Sequence, residues 1–353
     1  MIEYYQISMR YVSGEILTEK GFKDGYIEFQ NNNILDIQFK KSPKKPIASG
    51  IITPSLINFH THIGDSFIKN KNLDLPKDIE KLVAPPDGLK YKLLKNSSKK
   101  EVINGIKDSI NLMLKTGTKT FLDFRENGIN GINLLKKSTK KSNINSIILS
   151  RPKKLEYTSE EINTILEKSD GIGLSSITDW NFEEIINISK KTHRKNKIFA
   201  IHASERIKED IEKILDLRPK FLVHMNKATK SDLKKVKENN IPIVICPRAN
   251  HFFGIKPNYK LLKQTNVDIL IGTDNCMLNS PNLIEEINFI RSQTNIFSLK
   301  ELIKMVTITP RKVLNLRPVI PSQNQTADFI VVDKEFKRVL YAPIGSVIKR
   351  DDL

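Results

Sequence analysis

The spacing of apolar residues changes character twice along this chain. Residues 7–12, 26–30 and 34–39 are short, loosely alternating apolar segments, broken by Gly14, Gly21, Gly25 and the asparagines at 31–33. Alternation with frequent breakers predicts a β-meander. A loop at 42–46 (SPKKP) leads into an apolar run over 51–65, IITPSLINFHTHIGD, which predicts a buried strand. From there strand and helix alternate. Strands are predicted at 118–124, 145–149, 171–174, 198–201, 221–223, 241–245 and 269–271. Helices are predicted at 99–114, 131–141, 159–168, 182–192, 207–215, 231–238 and 283–291. A long insertion, 66–98, follows the first strand, and insertions of that length are usually functional or disordered. After helices at 299–306 and 310–314 the pattern turns β again at 327–332 and 339–341.

Eight β units alternating with helices predict an α/β fold, a parallel (β/α)8 TIM barrel. The N- and C-terminal β segments are expected to form a small β-sandwich beside it. The domain reading is therefore a small β domain from 1–50 plus 318–353, and a barrel over 51–317.

Composition narrows the class. With 353 residues, 39% hydrophobic and 28% charged, the chain has a soluble globular balance and can bury a large core. No run of 18 or more apolar residues predicts a membrane span. The first residues, MIEYYQISMRY, lack the order of a signal peptide, so a cytoplasmic location is expected. Two cysteines, Cys246 and Cys276, support neither a disulfide framework nor a cysteine-rich zinc site. The net charge of +18 invites a nucleic-acid role, but the excess is lysine scattered through the whole chain. Arginine, which reads bases and phosphates in bidentate fashion, is comparatively scarce. No nucleic-acid or membrane partner is expected.

The histidines carry the chemistry. Side chains two apart on a strand share a face, so His60 and His62 can approach one ion together. In a parallel barrel the C-terminal strand ends converge on one mouth. His60 and His62 end the first strand, His202 the fifth and His224 the sixth, while Cys246 to His251 follow the seventh and Asp274 the eighth. Five of the six histidines fall at such ends; His193, beside Arg194 and Lys195, reads as a surface residue. Each site residue has a plain reading alone: solvated histidines, a helix start for Glu205, a helix N-cap for Asp274. Their coincidence at strand ends favours three imidazoles and a carboxylate around one divalent ion, with a place for water. Such an ion lowers the pKa of water from 15.7 towards ~7. Glu205 is the candidate acid for moving protons, and His224 could polarise the water or a substrate group.

The ordered segments INFHTH, AIHASE, LVH, CPRANHFFG and IGTDN, with PSLINFHTH before them and VTITPRKVLNL…ADFIVVD after, resemble the amidohydrolase superfamily. The resemblance spans nearly the whole chain. It is nearest the metal-dependent deaminases and chlorohydrolases, such as those acting on cytosine, guanine and S-adenosylhomocysteine. It implies His60, His62, His202 and Asp274 as metal ligands, Glu205 as proton shuttle and His224 as the residue orienting the water, with Asp274 as a further base. It implies hydroxide attack on an sp² carbon bearing an amino group, with release of ammonia. Members with a bridged metal pair use a lysine at the end of strand four. Here residues 173–176 are Gly-Leu-Ser-Ser, so one ion is expected, zinc first and iron as the alternative. The aspartate that adenosine deaminases use to grip the purine is Asn275. A small heterocyclic substrate is expected to touch the 64–86 loop, Arg125, Glu126, Arg151, Arg248, Asn250, His251 and Asn275. Cyclic-amide hydrolysis and a catalytically silent metal-binding barrel stay open as alternatives, as does a homo-oligomer.

Overall fold

The structure is a computed structural model in which residues 9–316 and 325–343 are described. Two sheets organise it. The first holds β1 (Arg10–Thr18), β2 (Gly21–Gln30), β3 (Asn33–Gln38), β4 (Ala48–Pro54), β14 (Phe329–Val332) and β15 (Val339–Tyr341), in the order β15-β14-β4-β1-β2-β3. The second holds β5 (Leu56–His62), β6 (Thr118–Arg125), β7 (Asn145–Ser150), β8 (Gly171–Leu174), β9 (Ile198–Ala203), β10 (Phe221–His224), β11 (Ile243–Ile245), β12 (Ile269–Ile271) and β13 (Asp274–Asn275).

Every ladder of the second sheet is parallel, and its strands are nearly all buried, as strands covered on both faces are. The sheet curls. β13, the continuation of β12 after a two-residue break, pairs with β5 at the far end of the order. The Thr273 N–H donates to His60 O at 3.0 Å, and Asn58 Nδ2 to Thr273 Oγ1 at 2.8 Å. Phe59 of β5 and Phe221 of β10 are not sheet neighbours, yet their rings lie 5.0 Å apart. They belong to a cluster with Leu122, Phe124, Leu149 and Val244 that fills the concave side. The other strand faces pack against helices in the main core.

Those helices are α1 (Ile79–Leu82), α2 (Leu89–Lys95), α3 (Lys99–Lys115), α4 (Gly128–Thr139), α5 (Ser159–Lys168), α6 (Phe182–Arg194), α7 (Ile211–Asp216), α8 (Lys230–Glu238), α9 (Pro247–Phe252), α10 (Tyr259–Thr265), α11 (Leu283–Gln293), α12 (Leu299–Val306) and α13 (Ile308–Val313). α3 and α12 open with the same device. Ser98 and Ser298 accept from the N–H groups of Glu101 and Glu301, whose carboxylates bond back to the serine N–H groups.

The structure departs from the sequence expectation in several places. The run 51–65 is two strands, β4 and β5, which part at Ser55 into different sheets, because Leu56 turns to bond Gly117 O. β1 runs straight through Gly14, where a break was expected. A Cβ there would sit 1.9 Å from Gly50 O, so glycine permits close strand approach instead of ending the strand. Part of the strand expected at 7–12 lies outside the described residues, as does 318–324. The terminal segments form one six-stranded sheet among the described residues, and not two facing sheets. The 66–98 insertion contains a 3₁₀ helix (Ile63–Lys71 in full), α1 and α2, and α9 and α10 were not anticipated. Helix 131–141 begins earlier, at Gly128, and helix 207–215 shrinks to α7. No helix of the described residues is long and apolar enough to cross a membrane.

Two predictions follow from this packing. A Cβ on Gly272 would lie 2.6 Å from His60 Cβ and 2.8 Å from His60 O, in the seam where β12 meets β5. Gly272→Ala is expected to destabilise the fold by ~1–3 kcal/mol, the usual cost of overpacking, visible as a lowered melting midpoint. The serine N–H and Lys71 hold Glu101 down to about 2, below its ordinary 4.5. A depressed carboxylate contributes stability above its unfolded value that is lost as pH falls through the folded one. The melting midpoint of Glu101→Ala should therefore trail the parent at neutral pH and converge with it as pH falls from 4.5 towards 2.

Candidate metal centre and its cleft

The curl brings His60, His62, His202 and Asp274 together: one ligand atom from each lies within 4.8 Å of all the others. Two of the imidazoles are anchored from behind. His202 Nδ1 lies 2.7 Å from Leu174 O, and since a carbonyl only accepts, Nδ1 carries the proton. His62 Nδ1 lies 2.8 Å from Glu126 Oε1. Lys90, Arg125 and His62 hold Glu126 well below the usual carboxylate value against the upward push of burial, so it too only accepts. The two Nε2 atoms face each other at 3.4 Å, and a neutral ring with its proton on Nδ1 offers a lone pair there. His60 is fully buried and neither of its ring nitrogens has a hydrogen bond of acceptable geometry. Its Nε2 is 3.4 Å, and His62 Nε2 3.6 Å, from Asp274 Oδ1.

A buried imidazole with neither nitrogen hydrogen-bonded is costly unless something electrophilic lies beside it. Burial lowers His60 to about 4, and burial with the neighbouring rings lowers His202 well below its ordinary value. Burial alone would raise Asp274, but His60 and the other imidazoles pull it down, so it is ionised. Neutral imidazoles and an ionised carboxylate are the protonation states that metal binding requires. The donor set fits a divalent transition ion. Cys246 also approaches His224 and Asp274, but burial pushes its thiol well above the ordinary value, away from the thiolate a metal needs.

Backbone geometry at the strand ends is unusual. His224 has φ +79° and Asp274 φ +61°, left-handed values that non-glycine residues adopt at a cost and that cluster at functional sites. Asn250 Nδ2, which can only donate, lies 3.2 Å from His224 Nδ1 and 3.4 Å from Glu205 Oε1. The His224 proton is therefore on Nε2, which sits 3.4 Å from Glu205 Oε1 and 3.8 Å from Asp274 Oδ2. Burial raises Glu205 above its ordinary value, a shift the His224 ring opposes. A narrow, solvent-open cleft lies over these groups. The insertion roofs it through Ile79, Val83, Pro85, Lys90 and Tyr91, and Arg206 pairs with Glu80 of α1 and, at 3.5 Å, with Asp179.

The expected substrate contacts divide. Arg151 and Asn275 line the cleft. Arg125 and Glu126 lie behind it: Arg125 bridges Asp123 and Glu126, and Glu126 orients His62. Arg248 is held away from the cleft by Glu285, Glu286 and the carbonyls of Ser280 and Asn282. His251 is exposed and lies against Phe289, while Asn250 supports His224 and Glu205. His193 is half-buried and bonded to Leu217 O, not a free surface group.

Lys90 escaped the sequence reading. It is 2% exposed, and its Nζ donates to Glu126 Oε1 at 2.6 Å and Asn275 Oδ1 at 3.2 Å. Asn275 Nδ2 in turn donates to Asp274 Oδ1 at 2.9 Å. One ammonium thus ties the groups behind His62 on β5 to those beside Asp274 on β13. A single lysine in a lysine-rich insertion gives no signal of this.

A parallel α/β sheet curled around buried imidazoles and a carboxylate, with the Glu205 carboxyl beside them, is the architecture of a metal-dependent hydrolase. The description "amidohydrolase family" matches residues 51–350. An uncharacterized protein of Methanocaldococcus jannaschii is 37% identical over 87% of this chain and 82% of its own length. A 5-methylthioadenosine/S-adenosylhomocysteine deaminase of Thermoanaerobacter pseudethanolicus is 26% identical over 80% of this chain and 73% of its own. The fold is shared with an adenosine deaminase from Xanthomonas campestris with bound zinc, at a TM-score of 0.71 and 14% identity, covering 92% of this chain and 84% of that one. This chain belongs to the amidohydrolase family, and its chemistry is hydrolysis at a carbon–nitrogen bond.

Partners behind a ligating histidine commonly govern metal affinity by about 10–100-fold. Glu126→Gln is expected to lose metal on dialysis against a chelator at a concentration the parent withstands, with metal content read by elemental analysis.

Proposed function

We propose that this chain is an aminohydrolase that deaminates an aminated heterocycle, a nucleobase, nucleoside or derivative, using one divalent ion, zinc first and iron as the alternative. In this reading the curled sheet is a closed (β/α)8 barrel over residues 51–317, with the terminal segments 1–50 and 318–353 as a small β domain. The observation that carries it is the convergence of His62 and His202 Nε2 at 3.4 Å, with the orphaned His60 and the Asp274 carboxylate completing the set within 4.8 Å. The named relatives support the choice of substrate class: the Thermoanaerobacter protein is named for a methylthioadenosine substrate.

His60, His62, His202 and Asp274 would hold the ion, which when bound supplies an acidic water near neutral pH. The rest of the chemistry falls to the chain. Glu205 takes one proton from the attacking water and delivers it to the ring nitrogen, then takes a second from the hydroxyl at the tetrahedral carbon and delivers it to the leaving nitrogen. Burial, by raising its affinity for a proton, makes it a stronger base towards the water. His224, held by Asn250 with its Nε2–H facing the cluster, donates to the oxygen on which charge develops at the tetrahedral carbon. The insertion over the cleft excludes water other than the reactant.

The test is ammonia release from aminopurines, aminopyrimidines and their nucleosides, with metal content measured on the same sample. Glu205→Gln should keep its metal and lose about 10²–10⁴ in turnover, the usual worth of a general acid–base group. His202→Ala should lose both metal and turnover. Undiminished turnover in Glu205→Gln would remove the proton-shuttle assignment.

A further inference from the structure

A second cavity, open to solvent and of about 700 Å³, adjoins the cleft, and Pro85, Tyr91 and Arg151 line both. It lies between α2, α3, α4 and the loop after β7. Its apolar wall includes Leu94, Val102, Ile103, Ile106, Leu134 and Leu155. Its charges are lopsided. Lys95, Lys99, Lys137, Lys153 and Lys154 line it, and the single acid is Glu126, whose oxygens are already bonded to His62, Lys90 and Arg125. Elsewhere exposed lysines find carboxylates, as in Lys71–Glu101, Lys235–Glu212 and Lys263–Glu301. Here Lys95, Lys99, Lys137 and Lys153 make no ion pair among the described residues, and Lys154 only reaches Glu156 at 4.0 Å. At the junction Arg151 is 8% exposed, stacks its guanidinium over Tyr91 at 5.1 Å and bonds the Tyr91 hydroxyl, with no carboxylate in ion-pair range among the described residues.

A concave surface of one charge sign focuses field and concentrates the opposite charge within it. A buried guanidinium without a carboxylate retains donors suited to an oxyanion. We propose that the second cavity is the subsite for an anionic substituent. The substrate is then an aminated heterocycle bearing a phosphate or carboxylate on an arm that passes Tyr91. The heterocycle rests on the deaminase reading above; the anionic arm rests on this cavity alone. Apolar contact along the arm comes from the α3 side, and the charge meets the lysine rim.

The test measures binding to the metal-loaded full chain by calorimetry, with ligands that cannot be deaminated further: inosine, inosine 5′-monophosphate, inosine 5′-carboxylate and ribose 5-phosphate. The anionic nucleosides should bind about tenfold or more tighter than inosine at low salt, with the gap closing as salt rises. The tighter of the two identifies phosphate or carboxylate as the native group. In a Lys99→Gln/Lys137→Gln/Lys153→Gln variant, whose changes are all exposed, the preference should vanish while inosine affinity stays. Equal affinity for inosine and both anions, or a variant that keeps the preference, would overturn the proposal. Lysine-dependent binding of ribose 5-phosphate with no binding of any inosine ligand would support the subsite and count against a purine as the heterocycle.

Discussion

Everything in this protein's site depends on four electron-pair donors being forced together where water cannot separate them. Imidazole nitrogens and a carboxylate oxygen within 4.8 Å of one another repel or stand unsatisfied unless a cation joins them. The fold sustains this by fixing each donor from behind. Leu174 O and Glu126 set the tautomers of His202 and His62, and Phe124 forms a floor against the rings of His60 at 4.5 Å and His202 at 5.0 Å. Rotating His202 away would break its bond to the Leu174 carbonyl, and rotating His62 away would take one of three donors from Glu126.

Behind the donors lies a buried charge network that is balanced within itself. Lys90 and Arg125 face Glu126 and Asp123, and Asp123 also accepts from the Ile63 N–H at 2.7 Å and Thr61 Oγ1 at 2.9 Å. Breaking one member of such a set leaves an uncompensated charge in a low-dielectric interior, so its cost falls on the neighbours as well. Lys90 stands in the insertion, the ligands on the sheet. The roof of the cleft and the donor set are therefore parts of one electrostatic unit, and closure of the roof positions the cluster as well as covering it. The second cavity opens on the far side of the same network, through Arg125 and Glu126.

Strain is present where strands end and chemistry begins, as well as at turns elsewhere such as Arg218 and Phe336. Ser204, His224, Met225 and Asp274 all have left-handed φ values, while the strands feeding them are regular and apolar. Rigid parallel ladders below and constrained turns above hold Glu205 and His224 within reach of the cluster.

The residues that meet at the curl were legible in the sequence because a parallel sheet of alternating strands and helices has one chemical end. His60, His62, His202, His224 and Asp274 needed only to be recognised as strand ends for their convergence to follow. Apolar periodicity likewise marked the strands of the curled sheet, since burial on both faces leaves little freedom in composition. What the linear chain could not hold was any contact made across it. Ser55 divides an unbroken apolar run between two sheets because ladder partners, not local preference, decide where a strand belongs. Arg125 and Glu126 looked like residues of a mouth, yet they serve behind it, because the side of a strand end a side chain takes is set by what packs there. Lys90 was invisible for the same reason: its identity as a buried strut comes from carboxylates and an amide distant in sequence, which only the closed fold brings to its ammonium.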